Sequence, residues 1–182
     1  MASLFGHAAL GYTISKLSAR KLLLKTVLLC IVCTIIPDAD FIGYKLGVPY
    51  DSTFGHRGFS HSIFFALLFA LLITAAFYKS GYSILEKRKL FLLFFICTLS
   101  HGLLDSLTNG GLGVAYFSPF SNTRYFFPWR PIQVSPLGAA KFFSERGLRV
   151  IKSEALWIGL PCTIVLGLRF FIEKLQKGTD QI

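Results

Sequence analysis

Four stretches of the chain are nearly unbroken runs of apolar residues: 22–36, 62–78, 90–107 and 155–172. Each is close to the short end of the ~20 residues a helix needs to cross a bilayer. A fifth stretch, 3–19, is milder, with Leu4, Phe5, Ala8, Ala9, Leu10, Tyr12, Ile14 and Leu17. It reads either as an amphipathic surface helix or as a fifth span. The pattern predicts an all-α, polytopic membrane bundle of about five short helices in a single domain over residues 1–182. A long outer loop, 108–153, carries aromatic and basic residues.

Basic residues orient this bundle. Lys16, Arg20, Lys21 and Lys25 form one cluster; Lys79, Lys87, Arg88 and Lys89 form a second, expected in a turn; Arg169, Lys174 and Lys177 form a third. By the positive-inside rule these three places are cytoplasmic, which puts loops 44–58 and 108–153 outside. Helical rise then gives depth. Asp38 stands about 25 Å above Lys21, and His61 about 27 Å above Lys79. His101 and Asp105 stand about 18 and 24 Å above Lys89, and His7 about 21 Å above Lys21 if 3–19 spans. The polar groups therefore converge near the outer face. A cytoplasmic surface helix would strand His7 away from them, which favours insertion of 3–19.

Composition supports a membrane class: 53% of residues are hydrophobic and 15% charged, with mean hydropathy +0.59. The net charge of +10 lies largely at span ends, so it sets topology rather than indicating nucleic acid. Cys30, Cys33, Cys97 and Cys162 lie in apolar segments and read as small buried side chains, not disulfides. The first basic residue, Lys16, follows the first apolar stretch, which is unlike a signal peptide.

Polar groups in so apolar a chain are costly unless paired, hydrated or bound to metal. All four histidines, His7, His56, His61 and His101, lie in or beside such clusters. His101 and Asp105 share one helix face at i and i+4. Pro37-Asp38-Ala39-Asp40 ends an apolar helix, and Pro37 predicts irregular geometry there. One aspartate is expected to reach metal and the other to bind it or orient a histidine. In His56-Arg57-Gly58-Phe59-Ser60-His61-Ser62, Ser60 or Ser62 is expected to cap the next helix. Arg57 is expected to hold a phosphate or carboxylate. Glu154, before the last apolar run, is a weaker candidate ligand, since acids at helix starts serve the dipole. Between Tyr116 and Arg130 an aromatic, proline-broken segment reads as an interfacial belt or as a lid, with Arg124 and Arg130 drawing an anionic headgroup.

These motifs resemble the YdjM-like family of LexA-regulated, membrane-bound, metal-dependent hydrolases. The matching residues are His7, Pro37-Asp38-Ala39-Asp40, His56-Arg57-Gly58-Phe59-Ser60-His61-Ser62 and His101-Gly102-Leu103-Leu104-Asp105, with Ser118 to Ser121 and Arg124 further on. That family is described as distantly similar to zinc-dependent phospholipases C and single-strand nucleases. The resemblance implies metal-assisted phosphoester hydrolysis in a bacterial inner membrane, with the site facing outward. Four histidines suit one or two divalent transition-metal ions, zinc foremost, rather than three. The expected ligands and their supports are His7, Asp38, Asp40, His56, His61, His101, Asp105 and Glu154. Arg57, Asp38 and Asp40 are the catalytic candidates, and Arg57 with Arg124 would bind substrate. Membrane lipids are the expected partners and a phosphorylated lipid the expected substrate; no nucleic acid is expected. The alternative is a non-enzymatic membrane protein that binds or transports a metal ion or proton. A transporter should place ligands near midplane, whereas 22–33 and 66–78 offer few polar groups.

Overall fold

Capping residues set where the helices begin. The computed structural model describes residues 1–19, 22–136 and 138–179. Arg20 and Lys21, used above for orientation and depth, and the side chain of Lys177 lie outside the described residues. Ser3 precedes α1 (Leu4–Ser18) and accepts the Gly6 amide. Ser62, not Ser60, caps α4 (Ile63–Phe77) by accepting from the Phe65 amide. Ser83 and Glu86 form a reciprocal capping box at the start of α5 (Ile84–Ser106). That box starts the helix before the apolar run at 90, so Lys87, Arg88 and Lys89 ride on its first turns instead of forming a turn.

α2 (Leu24–Ile35) passes through a tight turn of 3-10 geometry, Ile36–Asp40, into α3 (Phe41–Lys45). Pro37 lacks an amide hydrogen and sits at the start of that turn, where none is needed. The expected outer loop 108–153 needs correction at its end. It contains α6 (Ala139–Phe142) and α7 (Glu145–Glu154), and α7 continues through a π-turn, Ala155–Gly159, into α8 (Leu160–Thr179). The last long helix thus starts at 145, not 155. Its first turns carry Glu145, Arg146, Arg149 and Lys152 outward while Gly147, Val150 and Glu154 pack inward. An amphipathic period of this kind is invisible to a search for unbroken apolar runs.

The molecule is an all-helical bundle, and among the described residues three helices are long and apolar enough to cross a membrane: Leu24–Lys45, Ile84–Ser106 and Glu145–Gln176. α4 is equally apolar but 15 residues long, as is α1. α2 lies between α1 and α5, α4 packs on α5, and α8 on α1. Small side chains permit these approaches. Ala70, Cys30, Cys33 and Cys97 meet in one buried cluster with Phe94 and Tyr78, and the Tyr78 hydroxyl lies 2.8 Å from Thr26 Oγ1. Outward-facing Leu71, Leu72, Leu168 and Phe170 leave an apolar exterior suited to lipid.

Segment 107–136 folds back over one end of the bundle. The Asn109 amide donates to Ile132 O, Ala115 N to Arg57 O, and Ile63 N to Tyr116 O. No strand forms among the described residues, only isolated bridges between Thr108 and Ile132 and between Val114 and Tyr125.

Gly11 sets the separation of α1 and α2: a Cβ there would lie 2.5 Å from Thr34 Oγ1 and 3.1 Å from the Cys30 carbonyl. Gly11→Leu is expected to destabilise the protein by about 1–3 kcal/mol, as overpacking does. Gly167→Leu, at a site with open space around it, should leave the thermal midpoint in detergent unchanged. Equal midpoints for the two variants would remove Gly11 from the interface.

Candidate metal centre

Four elements end at the same place and bring their polar side chains together. The last turns of α5 carry His101 and Asp105, one turn apart and both fully buried. The 3-10 turn after α2 carries Asp38 and Asp40. At about three residues per turn, residues two apart point in different directions, and these two carboxylates part accordingly. The loop before α4 supplies His56, Arg57, Ser60 and His61. α1 supplies His7 from its first turn.

Asp38 joins His61, His101 and Asp105 in a group whose ligand atoms lie within 4.8 Å of one another. The Nε2 atoms of His61 and His101 are 2.9 Å apart. Asp38 Oδ1 is 3.4 Å from His101 Nε2 and 3.6 Å from His61 Nε2. His7 stacks on His101 with ring centroids 3.8 Å apart. Its Nε2 lies 3.4 Å from Asp105 Oδ1 and 4.0 Å from Asp38 Oδ2. Both His7 ring nitrogens and Asp38 Oδ1 are buried without a hydrogen-bond partner.

Asp40 organises a second group with His56 and His61. It accepts His56 Nδ1–H at 2.6 Å, the Arg57 amide at 3.1 Å and the Ser60 hydroxyl at 2.6 Å. His61 Nδ1 faces the same carboxylate at 3.2 Å and Ser60 Oγ at 3.0 Å. Burial alone would depress the His61 pKa, but the Asp38 and Asp40 carboxylates around it prevail and raise it to about 9.

Hydrogen bonding fixes the tautomers. His101 Nδ1–H donates to the Thr34 carbonyl at 2.7 Å, which leaves a lone pair on Nε2. His61, giving Nδ1–H to the Asp40 and Ser60 pair, likewise presents a lone pair at Nε2. Two lone pairs 2.9 Å apart in a buried site repel unless a cation lies between them. A proton meets that need in the metal-free state, consistent with the raised His61 pKa. A divalent transition metal also fits, since both nitrogens can lie ~2.0–2.1 Å from one ion. The orphaned His7 and Asp38 atoms complete a nitrogen-and-oxygen donor set typical of such ions. His7, Asp38, His61, His101 and Asp105 could hold it, with Asp40, Ser60 and the Thr34 carbonyl orienting the imidazoles.

Arg57, expected to hold a phosphate or carboxylate, holds the carboxylate of Asp105. Its side chain is fully buried. Nε donates to Asp105 Oδ2 at 3.0 Å, Nη1 to the Gly110 carbonyl at 2.8 Å and Nη2 to Thr108 Oγ1 at 2.9 Å. Its backbone adopts φ 64°, a left-handed conformation that costs a non-glycine residue roughly 1–2 kcal/mol. The Arg57 amide bond to Asp40 and the Ala115 amide bond to the Arg57 carbonyl hold it there. Arg57 therefore fixes Asp105. Arg124 is also engaged internally, donating to the carbonyls of His56, Tyr50 and Ser52. Glu154 lies apart from both carboxylate–histidine groups and accepts from the Ser3 amide and hydroxyl.

The structure thus brings together His7, Asp38, Asp40, His56, His61, His101 and Asp105, with Arg57 behind Asp105. Sequence reading missed the Thr34 carbonyl, a backbone group that no side-chain pattern reveals. It missed Thr108 as an arginine acceptor, and of the two serines it offered as caps, Ser62 is the cap while Ser60 sits between Asp40 and His61 as a support.

Comparisons with known proteins agree with a membrane assignment. The profile of the YdjM inner membrane protein family matches residues 1–175. The inner membrane protein YbcI of Escherichia coli (strain K12) is 40% identical over 141 residues, 76% of this chain and 79% of that one. No solved structure matches. The chain belongs to the YdjM family of inner membrane proteins.

Proposed function

We propose that the protein is an integral-membrane, metal-dependent hydrolase that cleaves a phosphoester of a lipid or lipid-like substrate at the outer face of the inner membrane. The observation that carries this reading is the buried His61–His101 pair, its Nε2 atoms 2.9 Å apart beside Asp38 and Asp105. Lys16, Lys25, Lys79 and Lys87 lie at helix ends opposite the polar centre, which by the positive-inside rule turns that centre outward.

A divalent transition metal, zinc foremost, would lower the pKa of bound water toward ~7 and polarise a phosphoryl oxygen. The chain's own groups prepare that chemistry. Thr34 and Asp40 hold the two imidazoles in the ligating tautomer. Arg57 holds Asp105 aimed. Asp38 alone among the five ligands keeps a solvent-facing edge, at 12% side-chain exposure, so substrate approaches from its side. The apolar exterior and the aromatic rim, including Phe117, Phe120 and Trp129, favour a substrate that arrives through the bilayer interface.

Purified protein is expected to contain about one divalent ion per chain by elemental analysis, and His101→Ala and Asp105→Ala to lose it. A folded, metal-free wild type in metal-replete medium would sink the reading. A screen of phosphodiester and phosphomonoester lipids completes the test: metal without turnover of any of them would favour the ion-binding alternative.

Metal uptake should depend on pH. The ion-paired imidazolium of His61 stabilises the metal-free protein fully below about pH 6.5, and that contribution is lost as pH rises through about 9. Metal must displace this proton. Affinity measured by competition with a chelator is therefore expected to rise from pH 6 to pH 9, and a flat profile would contradict the assignment of His61 as a ligand.

Arg57→Lys keeps the charge but loses the fork that reaches Asp105, Thr108 and Gly110 together. It should lower the thermal midpoint and metal affinity in parallel. Unchanged metal affinity with raised KM would restore the substrate-binding role that its sequence position suggests.

A further inference from the structure

α7 has three distinct faces. Gly147, Val150 and Glu154 pack inward. Arg146, Arg149 and Lys152 are exposed, with no ion pair or hydrogen bond to any described residue. Leu148 and Ile151, 53% and 47% exposed, form a third stripe with Ala155, because steps of three or four residues share a helix face. Just before the helix, Phe143 is 85% exposed. Free cations and exposed apolar groups at adjacent angles are the composition of a helix lying at a lipid interface.

Beside this stripe an open cleft of about 340 Å³ runs along the seam where α1 packs on the π-turn. Its walls are Phe5, Ile151, Ala155 and Ile158, and Gly6 and Ala9 form its base. Glu154 also borders it, but that carboxylate is occupied by Ser3. The cleft is otherwise apolar, and the helix that forms one wall continues directly into the spanning segment Glu145–Gln176. Its mouth therefore opens where acyl chains are. Arg146 and Arg149 precede every cleft residue of this helix, and Lys152 follows only Ile151, so the three stand toward the headgroup region. A phosphate there meets up to three cations that have no ion pair with any described residue, the composition that attracts an anionic lipid surface.

We propose that α7 and this cleft seat an anionic phospholipid of the bilayer, one acyl chain between α1 and the π-turn and the headgroup on Arg146, Arg149 and Lys152. The seat is separate from the metal centre and holds whether or not a lipid is the molecule hydrolysed. It also accounts for three basic residues on the face the charge rule assigns to the outside, where they contribute nothing to orientation.

The test is native mass spectrometry of the full-length protein in mild detergent, titrated with dioleoyl-phosphatidylglycerol and, separately, dioleoyl-phosphatidylcholine. Wild type is expected to retain the glycerol lipid in preference, with the preference falling as salt rises. The triple variant R146Q/R149Q/K152Q should lower that retention about tenfold or more. Ala155→Phe, which fills the cleft, should lower retention of both lipids. Thermal midpoint and metal content are measured alongside and should not change for the triple variant, which keeps this result distinguishable from a failure of the metal centre. Equal retention of the two lipids by wild type, or undiminished phosphatidylglycerol retention by the triple variant, overturns the proposal.

Discussion

Two imidazole nitrogens 2.9 Å apart, both out of water, impose the main constraint on this structure. His61 and His101 each commit Nδ1 to an acceptor, so both Nε2 lone pairs face the same small volume. A buried polar group left unpaired costs about 1–3 kcal/mol, and two facing acceptors add repulsion. Only a cation relieves that. The arrangement survives because the parts around it are over-determined. The Thr34 carbonyl is free to accept because α2 gives way there to the 3-10 turn at Pro37. Asp40 and Ser60 grip His61 from its far edge. The close packing of α2 on α5, through cysteines and other small groups, brings Thr34 within reach of His101 at all.

The same turn explains why two aspartates two residues apart do different work. Asp38 enters the cation volume, where one oxygen lacks any hydrogen-bond partner. Asp40 turns away and accepts from His56, the Arg57 amide and Ser60, with His61 Nδ1 beside it. A carboxylate with that many donors has little capacity left for a metal. The carboxylate–histidine pairs around Asp40 are better understood as outer support that sets ring orientation and basicity. Asp105 is likewise engaged on both oxygens, by the Ala2 amide and by Arg57 Nε, so Asp38 is the carboxylate with an oxygen to spare.

Much of this was legible in the sequence, and the reason is geometric. A helix converts residue number into depth, so short spans ending at His7, Asp38, His61 and His101 had to bring those groups to one level. The i, i+4 spacing fixed the shared face of His101 and Asp105, the two-residue spacing of Asp38 and Asp40 set them apart, and Pro37 foretold the irregular turn that carries them. What could not be read came from contacts distant in sequence. Arg57 between two histidines looks like a substrate anchor, but Thr108 and Gly110, some fifty residues on, close over it and turn it toward Asp105. Arg124 is consumed by carbonyls of a loop some seventy residues earlier. The start of the last helix was hidden because its first turns are amphipathic, and apolar-run searches stop at the first charges.

Glu154 shows how a residue apart from the metal centre can still govern it. Its carboxylate receives the Ser3 amide and hydroxyl, the same Ser3 that caps α1. His7 lies one turn further on, and the His7 amide donates to the Ser3 carbonyl. The last long helix therefore holds the first helix at the level where His7 meets His101. α1 is only 15 residues long; Glu154 holds Ser3 at its start, the Ala2 amide just before it donates to Asp105 Oδ1 at 2.7 Å, and Gly11 packs against Thr34 along its side. Thr34 is also the residue whose carbonyl orients His101. The placement of α1 and the tautomer of His101 thus share one residue, Thr34, whose side chain meets Gly11 and whose carbonyl accepts from His101, so the helix carrying His7 leans on the group that orients its neighbour.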